Sequence, residues 1–193
     1  MSDTTDSFKG FYIFAIYLKT IQIMALIRVL NNKTPKVGKD CFLAETAVLI
    51  GDVEIGDNCS IWYSAVLRGD VHYIKIGNNT NVQDNATIHA TYKKSPTNIG
   101  NNVTIAHGAI VHGCTLQDNV MIGMNAVILD NAIVESNSIV AAGSVVTKGT
   151  VVESGSVYAG IPAKKVKDIS PELLHGEVER IANAYNMYSS WYK

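Results

Sequence analysis

The sequence predicts an all-β solenoid, a parallel β-helix built of hexapeptide repeats and closed by a C-terminal α-helix. Three observations predict it. Aliphatic residues recur every six positions along most of the chain, small residues follow four positions behind most of them, and a capped amphipathic segment stands after the last repeat.

The aliphatic series runs through Val37, Leu43, Leu49, Ile55, Ile61 and Leu67, and resumes at Ile76, Val82 and Ile88. It returns at Ile99, Ile105 and Val111, then slips by one residue and continues through Leu116, Ile122, Ile128, Val134, Val140, Val146 and Val152. The small companions include Cys41, Ala47, Cys59, Ala65, Ala86, Ala109, Ala126, Ala132, Ser138, Ser144 and Ser156. Both positions should face inward. An α-helix demands apolar recurrence near 3.6 residues and a simple strand near 2, so a sustained six fits neither. In a solenoid each hexapeptide supplies a short strand and a corner, and neighbouring coils cover each other's faces. The nineteen starts make a little over six coils if three hexapeptides form one triangular turn. Three extra residues between Leu67 and Ile76, and five between Ile88 and Ile99, should protrude as loops near His72-Tyr73 and Ala90 to Asn98. Such loops often border a binding face.

This divides the chain into an N-terminal extension (residues 1–23), the solenoid (24–168) and the C-terminal helix (169–193). Phe11 to Ile27 is almost continuously apolar, but the residues before it lack the positive start of a signal peptide. The stretch is also short for a ~20-residue membrane span. Met24 is therefore read as the natural start and no membrane association is expected, an amphipathic or anchoring helix being the alternative. At the other end, Ser170-Pro171-Glu172 reads as N-cap, first-turn proline and first-turn acid. Leu174, Val178, Ile181, Tyr185 and Tyr188 then form one stripe for packing on the solenoid or a partner.

Sixteen Lys+Arg against seventeen Asp+Glu leave a formal charge of -1, so no basic field points to nucleic acid. Cys41, Cys59 and Cys114 form no C-x-x-C pair and are odd in number, which argues against a disulfide framework. A reducing, cytoplasmic setting fits.

The repeat numbering also places the histidines. His89 and His112 occupy the second position of hexapeptides three repeats apart, so they should stack on one face. Adjacent coils lie ~4.8 Å apart, close enough for two imidazoles to reach one metal ion. His107 sits at the third position of a repeat on the preceding face, so its imidazole could complete such a site only from a neighbouring molecule. The same count stacks Arg68 one coil below His89, and Asp84 below His107, where a carboxylate can fix an imidazole's tautomer. Gln83 could orient a metal-bound water. His72 and His175 show no alignment and are given no role.

Together R68-G-D70, N81-V-Q83-D84, H89 and H107-G-A-I-V-H112-G-C resemble the γ-carbonic anhydrase family from about Met24 to the C-terminus. The resemblance implies a left-handed β-helix and a homotrimer with Zn at each subunit interface, Fe(II) or Co(II) being alternatives. The ligands would match His89, His107 and His112. It further implies that Arg68 and Asp70 form an interfacial salt-bridging pair, that Gln83 and Asn81 hold water or bicarbonate, and that Tyr185 matches a helix tyrosine near the site. The implied activity is reversible hydration of CO2 to bicarbonate by metal-activated water. The family prototype carries a glutamate after the aspartate matching Asp70, and another in an acidic loop. Here Val71 and the carboxylate-free loop A90-T-Y-K-K-S-P-T-N98 stand in their places, so the usual proton shuttle is missing and hydration should be slow. Two alternatives stay open: a hexapeptide acyltransferase or thioesterase on the same scaffold, and a metal-binding trimer without catalysis.

Overall fold

A computed structural model describes residues 24–192, so the proposed N-terminal extension lies outside the described residues. The periodic aliphatic positions wind into a left-handed parallel β-helix of about seven turns. It is a prism with three ladders of short strands.

The first ladder stacks Leu26–Arg28, the leading parts of Val48–Ile55 and Val66–Ile76, then Thr87–His89, Ile110–His112, Val127–Ile128 and Val145–Val146. The second takes Lys36–Val37, the trailing parts of the two long strands, Thr97–Ile99, Thr115–Leu116, Ile133–Val134 and Val151–Val152. The third runs from Phe42–Leu43 through Ser60–Ile61, Asn81–Val82, Thr104–Ile105, Val120–Ile122 and Ser138–Val140 to Ser156–Gly160. Every pairing between coils is parallel; Ala163–Asp168 then folds back antiparallel on Ser156–Gly160.

The hydrophobic effect explains the six-residue spacing. Of the nineteen periodic aliphatics, those from Leu49 onward are buried in one continuous core, with the small companions from Ala47 onward sealed beside them. Val37, Cys41 and Leu43, at the first coil, are only partly buried because no earlier coil covers them. The corners are turned by residues that tolerate a left-handed backbone, and asparagine dominates. Asn79, Asn102, Asn119 and Asn137 stack in one corner with φ between 53° and 59°. Their amides form a ladder, with donor–acceptor distances of 2.6, 3.1 and 3.1 Å.

One expectation is corrected. The residues around His72-Tyr73 are not a protruding loop; they continue the eleven-residue strand Val66–Ile76. Register passes from Gly51↔Gly69 to Val53↔Ile74, so Asp70 to Tyr73 oppose the single residue Asp52 in a bulge. An insertion can widen a strand instead of leaving it when its own backbone stays in the ladder. The later insertion does turn back on itself, with a Thr91–Ser95 bridge.

After the solenoid, the Ser170 hydroxyl accepts from the Leu173 N–H at 3.2 Å and opens α1 (Pro171–Leu173). A π-helical stretch, Leu174–Glu179, leads into α2 (Arg180–Ser190). The π-turn rotates the anticipated stripe: Val178, Ala182 and Ser189 are buried, while Leu174, Ile181, Tyr185 and Tyr188 are half-buried. Among the described residues no helix is long and apolar enough to cross a membrane.

Candidate metal centre

His89 and His112 each end a strand of the first ladder and are register partners on adjacent coils. Nδ1 of His89 lies 3.1 Å from Nε2 of His112, with ring centroids 5.1 Å apart. The opposite nitrogen of each ring is engaged by a carboxylate. Asp70 Oδ1 is 2.9 Å from His89 Nε2, and Asp130 Oδ1 is 2.6 Å from His112 Nδ1.

A carboxylate accepts a ring N–H, so both tautomers turn their lone pairs toward each other across the 3.1 Å gap. Such lone pairs repel unless a proton or a cation lies between them. Two nitrogens on one tetrahedral ion, each at ~2.0 Å, stand ~3.3 Å apart. The pair therefore fits two adjacent positions of a divalent metal. Burial lowers the His89 pKa, outweighing the opposing pull of Asp70, and so favours the neutral ring that ligation requires.

The carboxylates are themselves held. Burial would raise the Asp70 pKa, but His89 and the Arg68 guanidinium, 2.5 Å from Oδ2, bring it below the usual range. Asp130 is likewise lowered against its burial, by the Thr91 hydroxyl at 2.6 Å and by His112. Gly113, at φ +57°, completes the packing: a Cβ there would collide with the Asp130 carboxylate and with Ser95. The Thr97 hydroxyl donates to the His89 carbonyl at 2.5 Å and accepts from the Gly113 N–H at 2.9 Å, tying both strand ends to the loop.

His107 belongs to a different group, in the corner after Thr104–Ile105. Its Nδ1 meets Asp84 Oδ2 at 2.8 Å, and its Nε2 faces the Tyr185 hydroxyl at 3.4 Å. Its backbone N–H donates to Gln83 Oε1 at 3.2 Å; Gln83 donates to Asn81 at 3.0 Å, and Asn81 to Thr104 at 2.9 Å. Asn81 and Gln83 are 1% and 3% exposed, so their amides build the corner from inside.

The structure thus brings Arg68, Asp70, His89 and His112 together in one cluster, and Asn81, Gln83, Asp84, His107 and Tyr185 in another. Among the described residues no three His, Cys, Asp or Glu side chains converge within one chain. Asp130 and Thr91 were missed by the sequence reading. No signal in the repeat count pointed to Asp130, because strand register places Leu129 one coil after His112.

The fold and the strand-end histidines define a hexapeptide-repeat β-helix protein. The model "Bacterial transferase hexapeptide (six repeats)" matches residues 34–69, 96–129 and 113–148. A carbonic anhydrase of Geobacillus kaustophilus is 42% identical over 163 residues, which cover 84% of this chain and 88% of that one. γ-Carbonic anhydrase 2 of Arabidopsis thaliana, a mitochondrial protein, is 47% identical over 146 residues, 73% of this chain; the chain spans 52% of that relative's length. Among solved structures, a hexapeptide transferase family protein from Anaplasma phagocytophilum superposes with a TM-score of 0.81 at 39% identity, covering 87% of this chain and 98% of that one. The chain belongs to the γ-carbonic anhydrase family.

Proposed function

We propose that this protein catalyses reversible hydration of CO2 at a divalent metal site assembled from two copies of the chain. His89 and His112 of one copy and His107 of the next would hold the ion, in a homotrimer with three such sites. The observation that carries the reading is the pair of imidazole nitrogens facing each other at 3.1 Å, each ring pinned from behind by a carboxylate. In its own chain His107 faces Asp84 and Tyr185, and no three His, Cys, Asp or Glu side chains of the described residues converge. A second copy can bring it to the pair.

Held by these residues, a divalent ion would supply Lewis acidity, which lowers the pKa of bound water from 15.7 to about 7. Zn suits three imidazoles; Fe(II) and Co(II) suit them as well. Asp70, Asp130 and Asp84 each accept the N–H of one ligating ring, which fixes its tautomer and aims the lone pair at the ion. Arg68 neutralises part of the Asp70 charge and keeps that carboxylate from competing for the ion. Gln83 accepts from the His107 backbone N–H and Asn81 braces Gln83, so the two build the corner on which His107 stands. The Tyr185 pKa is pushed up to about 12 by burial, Asp84 and Tyr188, so its hydroxyl stays protonated and can donate to a bicarbonate oxygen.

Val71 and the loop after Ala90 place no carboxylate where a proton could be relayed to solvent, so turnover is expected to be limited by proton release. The test is stopped-flow CO2 hydration on protein loaded separately with Zn and, anaerobically, Fe(II), with metal quantified in the same samples. About one metal per chain, with turnover that rises with buffer concentration, is the expected result. Full metal occupancy without hydration would reject the reading in favour of thioester chemistry or a non-catalytic metal-binding trimer.

A further inference from the structure

The corner that carries Asp84 opens on its other side into a cavity of about 270 Å³, walled by Trp62, Tyr63, Tyr185, Tyr188, Trp191 and Tyr192. We propose that this cavity binds a small organic cation of the quaternary-ammonium or alkylammonium class.

The walls are built for that charge. Trp62 meets Tyr185 at 5.2 Å and 86°, and Tyr192 at 5.6 Å and 89°, so the rings stand as perpendicular walls. Edge-to-face packing holds these rings in fixed orientations around one small volume, and an aromatic lining with a carboxylate beside it attracts a desolvated cation. Asp84 supplies the formal charge. His107 engages Oδ2 of that carboxylate, so Oδ1 is available to a ligand, and no Lys or Arg among the described residues lines the cavity.

A seam that merely glued α2 to the solenoid would bury its rings and leave no space between them. Trp191 and Tyr192 are 69% and 54% exposed, yet they close the rim. Both rings pack against neighbours on one side, Tyr192 on Trp62 and Trp191 on Tyr188, and leave the rest of their surface uncovered for a cation seated in the mouth. The inference concerns a cavity lined by one chain and does not depend on metal at the neighbouring half-sites.

The experiment titrates the intact oligomer with choline and, in parallel, with its uncharged isostere 3,3-dimethylbutan-1-ol, read by tryptophan emission and by calorimetry. Choline should bind saturably, with the isostere roughly tenfold weaker or more. Trp191→Leu should weaken choline severalfold at unchanged circular dichroism and oligomer size, and Asp84→Asn should weaken choline while leaving the isostere unaffected. Equal binding of choline and isostere would make the cavity merely apolar and overturn the proposal. So would saturable binding by neither, or choline binding that Trp191→Leu leaves unchanged.

Discussion

The two half-sites are built on opposite principles. His107 sits in a stretch where the six-residue period runs unbroken from Ile99 to Val111, and its partner Asp84 lies in the same corner one coil earlier. His89 and His112 sit where the period fails: five extra residues follow Ile88, and one is dropped after Val111. Regular coils hold a functional side chain mainly against what stacks above and below it, as Asp84 and Gln83 hold His107, with Tyr185 added from α2. A broken coil can bring a residue in from outside the column, and the strand-end half-site uses this three times. The bulge at Asp70 to Tyr73 carries Asp70 back to His89, the turned loop delivers Thr91, and the slip after Val111 lets Asp130 reach His112 from the next corner.

The largest expected effect separates the halves altogether. His112→Ala and His107→Ala should each abolish metal binding and CO2 turnover. If the halves come from different copies, unfolding and refolding the two variants together should restore roughly a quarter of the sites, by random assortment around a ring. Activity that stays at zero in the mixture, with mixed trimers verified by mass spectrometry, would break the two-copy arrangement.

Next in size is the scaffold on which both halves stand. Ile105 lies fully buried beneath the His107 corner, and Ile88 beneath His89. Truncating either to Ala should destabilise the protein by about 2–5 kcal/mol, since a close-packed solenoid cannot collapse around the void. Denaturant unfolding measures this. Ile105→Ala should also loosen His107 more than Ile88→Ala loosens His89, because beyond its stack the corner has only the 3.4 Å contact with Tyr185, whereas His89 is tied to Asp70, Thr97 and the loop. Equal losses of metal affinity in the two variants would contradict that ranking.

These contrasts explain what could be read from the chain in advance. The coil count follows from side-chain periodicity, so the core residues, the pairing of His89 with His112 and the position of Asp84 beneath His107 were all legible. Asp130 was not, because strand register pairs Val111 with Ile128, which puts Leu129 and not Asp130 in the column of His112. The carboxylate reaches back from one residue further along. Thr91 and the bulge at Asp70 depend on the path of inserted residues, which no period governs. The aromatic cavity was hidden for another reason: Trp62 and Tyr192 are distant in sequence and meet only once α2 has docked.

A third contrast concerns the carboxylates. Asp84→Asn and Asp130→Asn should each weaken metal binding by about 10–100-fold, the usual consequence of losing the group behind a ligating histidine. The Asp130 variant should lose more, since Asp130 couples His112 to Thr91 while Asp84 contacts its ring from an otherwise intact corner. Competition titration against a chromophoric chelator reads both. A larger loss in Asp84→Asn would reverse the assignment of which half depends on its carboxylate.

The smallest effect tests whether the loop takes part in the site at all. Thr91→Val removes the hydroxyl that donates to Asp130 Oδ2 at 2.6 Å but keeps the side chain's volume. A hydrogen bond to a carboxylate contributes about 1.5–3 kcal/mol where it is shielded from water, and less here because Asp130 is partly exposed. A loss in metal affinity of several-fold is therefore expected, at unchanged thermal stability of the metal-free protein. The matching hydroxyl-to-methyl change at the regular corner, Thr104→Val, removes the partner of Asn81 and should act the other way round. It leaves a buried amide without its acceptor, so it should lower stability and alter metal affinity little. If both variants changed the same quantity, the half-site at the broken coils would be no more dependent on its loop than the corner is on its stack.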